Sequence, residues 1–73
     1  METNKINNFY PFKEGKLLKA EEVAEILNVS RAFVYQLMQT GELPSVHLRR
    51  SVRVRPADLE EVIRSNTYVG NSK

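Results

Sequence analysis

Two short apolar stripes, separated by three residues, constrain this chain more than any other feature of it. Ala20, Val23, Ala24 and Leu27 fall at i, i+3, i+4 and i+7, the spacing of one helical face. The pattern stops at Asn28 and restarts after Ser30, where Val34, Leu37 and Met38 form a second i, i+3, i+4 stripe. Two amphipathic helices joined by so short a link cannot lie side by side. They must cross steeply, which is the geometry of a helix-turn-helix unit.

The residues between and after the stripes agree with that reading. Asn28 stands where the chain must turn sharply, and Asn enters the left-handed region more readily than most residues. Ser30 can cap the second helix by accepting a free backbone N–H. Gly41 suits a left-handed stop after Gln39 and Thr40, and Pro44 keeps the helix from resuming. The start of the first helix is less regular. Lys19 stands where Ser or Thr would cap, so a weakly capped terminus is expected, partly compensated by the negative charge of Glu21 and Glu22 in the first turn.

Length bounds the rest. A chain of 73 residues makes one small domain with a modest core and leaves no room for a deep substrate cleft. It has no cysteine, hence no disulfide framework and no thiolate metal site, and a lone His47 makes no metal centre. No convergent nucleophile and base can be assembled, so an enzyme is not expected. No apolar run approaches the roughly 20 residues of a membrane span, and no signal-peptide pattern opens the sequence. A soluble cytoplasmic protein without cofactors is the expectation.

The net charge is only +2, but it is unevenly spread. Residues 1–27 carry four Lys against five Glu, residues 28–55 carry five Arg against Glu42 alone, and residues 56–73 carry two cations against three acids. The basic charge of the middle third is entirely arginine, whose planar fork matches phosphates and guanine edges as lysine cannot.

After the second helix the period changes. Val46 and Leu48, then Val52 and Val54, alternate with polar residues, with Arg49-Arg50-Ser51 between the runs. This predicts a two-stranded hairpin whose apolar side carries the valines and Leu48 and whose outward side carries His47. The tip lacks the Gly or Asn that a tight turn favours, so a longer or poorly ordered loop is expected. Pro56 then opens a third helix, with Asp58, Glu60 and Glu61 near its positive end and Leu59, Val62 and Ile63 on its buried face. The expected organisation is a flexible arm over residues 1–15 with an aromatic cluster at Phe9, Tyr10 and Phe12, a domain over residues 16–65, and a flexible tail over residues 66–73. The fold class is mostly α with a small β-hairpin, a winged helix-turn-helix.

Three runs of this sequence together carry a family resemblance: E-E-V-A-E-I-L-N-V-S, then V-Y-Q-L-M-Q-T-G-E-L-P, then R-V-R-P-A-D-L. Residues 17–63 resemble the excisionase-type helix-turn-helix family, a small winged branch of the MerR-like superfamily. Lys19 replaces that family's usual Thr or Ser cap, Val52 stands where an aromatic is frequent, and Arg49-Arg50-Ser51 replaces a glycine-containing wing turn. The resemblance implies a winged-helix protein that binds double-stranded DNA. As an excisionase it would assist a tyrosine recombinase (integrase) in excising a mobile element, by binding and bending the duplex. The alternative is a small transcriptional regulator, a repressor of a phage, plasmid or transposon. A monomer in solution is expected, with cooperative binding at repeated sites in the excision role.

With Val34, Leu37 and Met38 turned to the core, the second helix presents Ala32, Tyr35, Gln36 and Gln39 outward, with Ser30 and Arg31 at its N-terminal end. Base edges are usually reached from that end. Gln36 suits the bidentate edge of adenine, Arg31 a guanine or a phosphate, and Ala32 a thymine methyl. Tyr35 can donate its hydroxyl to a phosphate, and backbone N–H groups beside Ser30 can hold another. Arg49, Arg50, Ser51 and Arg53 are the wing candidates for the backbone or minor groove. Arg55 lies close enough to the third helix to pair with an acid there.

Overall fold

The structure, a computed structural model, describes residues 15–70, and both apolar stripes are helical. In order the elements are α1 (Ala20–Leu27), α2 (Arg31–Thr40), β1 (Val46–Leu48), β2 (Ser51–Arg53) and α3 (Pro56–Ser65). The aromatic cluster of the arm lies outside the described residues, and the tail is described only as far as Gly70. The whole is a winged helix-turn-helix, mostly α with one antiparallel hairpin.

Each end of the helix-turn-helix is set by local chemistry. Lys19 occupies the α1 cap position, and its side chain has no acceptor to offer. Glu22 supplies the bond instead, its Oε1 accepting the Lys19 backbone N–H at 2.8 Å, while Lys16 Nζ sits 3.3 Å from its other oxygen. The backbone bond first, and the Lys16 ammonium second, hold the Glu22 carboxyl below its ordinary pKa. The terminus expected to be weak therefore has half of a capping box. At the other end Asn28 takes φ +59°, and the Val29 N–H reaches back to the Ala24 carbonyl at 3.0 Å, closing a Schellman turn. Ser30 Oγ accepts the Phe33 N–H at 3.1 Å and starts α2. Gly41, at φ +85°, ends α2.

The turn after Gly41 delivers Leu43, fully buried, into a core made with Ala20, Val23, Ala24, Val34, Val54 and Leu59. The Leu43 N–H caps the Leu37 carbonyl at 3.0 Å, so one short loop both terminates a helix and fills the centre. Leu18 packs on the same cluster. Its backbone exchanges two 2.8 Å bonds with Val54, an isolated antiparallel bridge just past the end of β2.

The hairpin differs from expectation in three ways. First, its loop is only Arg49-Arg50, because Leu48 pairs with Ser51, which is the first residue of β2 and not part of the tip. Arg49 takes φ +59° while Arg50 stays at negative φ, the sign pattern of a type II′ turn, so an arginine does what glycine usually does. Second, His47 pairs with Val52, so these two share a face, while Val46 and Leu48 lie on the other face with Arg53 and Ser51. A two-residue loop fixes that register, and the valines of the two strands therefore point to opposite sides. Third, Leu48 is 55% exposed rather than covered. In α3, Leu59 is buried and Val62 half-buried, but Ile63 is 43% exposed, because no further element covers that edge among the described residues. Arg55 does pair with α3: its Nε meets Asp58 Oδ2 at 2.5 Å.

Candidate nucleic-acid interface

The core-facing side of α2 fixes what its other side presents. At about 3.6 residues per turn, Ala32, Gln36 and Gln39 lie opposite Val34. All three are exposed, and no hydrogen bond to another described residue holds either glutamine amide. A free primary amide offers a donor and an acceptor side by side, the pattern of the adenine edge in a major groove. Tyr35 and Phe33 take the two flanks. Phe33 turns toward α3, where it lines a groove with Val62 and Ile63 and stays out of the outward face. Tyr35 turns toward the hairpin and, with Met38 and Gln39, meets His47 and Val52 across a groove of about 270 Å³.

Arg31 is at the open end of α2, within 3.7 Å of Glu21 on α1, and both side chains are well exposed. An exposed pair of this kind contributes well under about 1 kcal/mol. It holds the guanidinium near the helix start and yields easily to a phosphate. The Ser30 hydroxyl is already engaged as the cap, so what it leaves at that end is backbone N–H groups.

At the hairpin tip Arg49 and Arg50 are exposed and have no carboxylate partner among the described residues. Arg53 and Ser51 are placed differently. They share the hairpin face turned away from α2, and the half-buried Arg53 donates from Nη1 to the Val52 carbonyl at 2.9 Å. The structure thus brings Tyr35 and Gln39 together with the hairpin across one groove, and carries Arg49 and Arg50 to the end of that hairpin. It leaves Ser51 and Arg53 behind. His47 is exposed, as expected of it, but it shares a face with Val52 and so lines this groove. The missed signal was strand parity: with a two-residue tip, His47 must share a face with Val52.

Among the described residues no group of His, Asp and Glu is placed to hold a metal ion, and no helix is long and apolar enough to cross a membrane.

Comparison with known proteins agrees with this geometry. The chain is 36% identical over 62 residues to a Mycobacterium tuberculosis (strain ATCC 25618 / H37Rv) protein named "Putative DNA-binding protein Rv0500A", an alignment covering 78% of this chain and 80% of that one. A protein of the CDC 1551 / Oshkosh strain, MT0521, bears the same description and matches to the same extent. No solved structure matches the chain significantly. The family description for the helix-turn-helix domain matches residues 17–67, which takes in every helix and strand described above, and the chain belongs to that family.

Proposed function

We propose that this chain is a sequence-specific double-stranded DNA-binding protein, with α2 in the major groove and the hairpin as a wing along the neighbouring backbone. One observation supports this most strongly. The outward centre of α2 is Gln36 between Ala32 and Gln39, and the adjoining hairpin ends in two arginines, none of the three with a side-chain partner among the described residues. A solvated basic face would need the cations but not the free amides beside them. In this reading Gln36 reads a base pair, Ala32 allows close approach, Arg31 holds a phosphate near the helix start and Tyr35 one on the hairpin side, and Arg49 and Arg50 grip the strand beyond. Ser51 and Arg53 take a lesser part, since they face away.

Within helix-turn-helix proteins we place the chain in the excisionase-like, MerR-like branch, on the three motifs quoted above. Its role is then to bind repeated sites and bend the duplex so that a tyrosine recombinase excises a mobile element. A footprint over DNA flanking the encoding locus tests this. Repeated sites at an attachment sequence support the excision role, whereas a single site over a promoter makes the chain a transcriptional regulator.

Binding itself has a quantitative signature. Neutralising about four to six phosphates gives a slope of log affinity against log salt of roughly −4 to −5, and a slope near zero refutes the proposal. Gln36→Ala should cost about 1–3 kcal/mol on the preferred site and relax the preference at one base pair. An equal loss on random DNA would remove Gln36 from the readers.

A further inference from the structure

The groove between α2 and the hairpin has a composition that the base-reading face does not explain. Its lining is Tyr35, Met38 and Gln39 from the helix, and His47 and Val52 from the hairpin. Met38 and Val52 form an apolar floor, and three side chains with N–H or O–H donors surround it. No carboxylate is among these residues, whereas the groove between α1 and α3 includes Glu60 and the one beside Phe33 includes Glu42. The groove is also continuous with the proposed DNA-binding surface, because Gln39 belongs to both and Arg49 and Arg50 stand at the end of the same hairpin.

His47 is held in place here. Its Nε2 lies 3.0 Å from the hydroxyl of the half-buried Ser45, and its backbone is paired with Val52. When that hydroxyl donates, Nε2 is the acceptor and the ring proton sits on Nδ1, where it can be donated to an anion. The Ser45 contact thus both orients the ring and permits the tautomer that an anion requires.

From this we infer that the groove is a binding site for one deoxyribose–phosphate unit of the DNA strand. The sugar rests on Met38 and Val52, and His47 Nδ1 donates to the phosphate beside Tyr35 and Gln39. Ser45 is a positioning residue, acting through His47. The inference rests on the DNA-binding proposal above and adds the contact that joins helix and wing.

The test scans a duplex, selected for binding from a randomised pool, with single neutral methylphosphonate linkages. The full-length chain and its His47→Ala and His47→Asn variants are compared by fluorescence anisotropy. At one linkage between the α2 and wing footprints the wild type should lose about tenfold in affinity, the scale of a hydrogen bond to a charged group. His47→Ala should lose about as much on unmodified DNA and then be indifferent to that linkage, so that the two losses do not add. His47→Asn, whose amide N–H falls near the Nδ1 position, should recover most of the binding and most of the sensitivity. Ser45→Ala should give a smaller loss at the same linkage. His47 is exposed, so all variants should melt within a few degrees of the wild type. If His47→Ala keeps the wild-type profile at every linkage, the assignment is overturned while the DNA-binding proposal stands. If the wild type selects no duplex and shows no salt dependence, both fall.

Discussion

The two arginines at the hairpin tip differ in backbone but not in charge, so paired substitutions can separate stability from binding. Arg49 sits at φ +59° and Arg50 does not. An L-residue in the left-handed region costs about 1–2 kcal/mol, which glycine avoids. Glycine gives back about 0.4–1 kcal/mol through the added freedom of the unfolded chain. Arg49→Gly should therefore stabilise the protein by about 0.8 kcal/mol at the midpoints of those ranges. Arg50→Gly has no strain to relieve and should destabilise it by about 0.4–1 kcal/mol. For a domain this small, that separates the two melting temperatures by several degrees in opposite directions, at about 4–8 °C per kcal/mol. Relief of repulsion between neighbouring cations is common to both variants and cancels in the comparison. On DNA the two should behave alike, each reducing the magnitude of the salt slope by about 0.9 if its guanidinium neutralises one phosphate. Thermal melts monitored by circular dichroism read the first effect, and anisotropy titrations over a salt series read the second. If both variants lose stability equally, Arg49 is not the strained turn residue. If neither changes the slope, the tip does not lie on the backbone.

Other expectations come from the core and from the α1 cap. Leu43→Ala empties the middle of a seven-residue buried cluster and should cost about 2–5 kcal/mol, enough to unfold much of the population of so small a domain in a urea melt at 25 °C. A loss under about 1 kcal/mol would show that Leu43 is not central. Glu22 has a folded-state pKa below its ordinary 4.5, so its contribution is present above that value and is lost as pH falls through the lower folded value. Glu22→Gln keeps an acceptor for the Lys19 N–H but removes the charge. Its stability should fall less steeply than the wild type's below pH 4.5 in acid titrations followed by circular dichroism, and identical acid limbs would contradict the assignment.

The helical half of the fold was legible because each of its signals is local. Asn28, Ser30 and Gly41 act within a turn of where they stand, and the stripes around Val23 and Val34 need only the 3.6-residue period to be read. The hairpin was half legible. Strand existence follows from alternation, but the assignment of faces depends on loop length, and loop length depended on an arginine adopting a conformation usually left to glycine. A loop of Arg49-Arg50-Ser51 shifts the pairing by one residue and separates His47, exposed in either register, from the Val52 face that it shares. Leu43 escaped notice for another reason. It sits between Gly41 and Pro44, where no period operates, and only the tertiary path of the chain shows that a turn residue is the largest fully buried side chain. The outward residues of α2 were legible because they are the complement of a well-marked buried face. That Ser51 and Arg53 turn away was not, because it follows from the same register.

The position of the hairpin's anchorage bears on how a wing can work in so small a domain. The hairpin is fixed at its base, where Val54 is buried and exchanges two backbone bonds with Leu18, and its Val52 face looks onto the groove lined by Met38. The tip contributes nothing to the core, so it can carry two cations, without a carboxylate partner among the described residues, without opening the fold. Yet a two-residue turn leaves it little freedom. Helix and tip are therefore held at a set separation before any partner arrives, and association has little chain entropy left to overcome at the wing. A longer glycine-rich loop would reach as far but would have to be ordered on binding. The positive φ of Arg49, at about 1–2 kcal/mol in the free protein, is the cost of so short a turn.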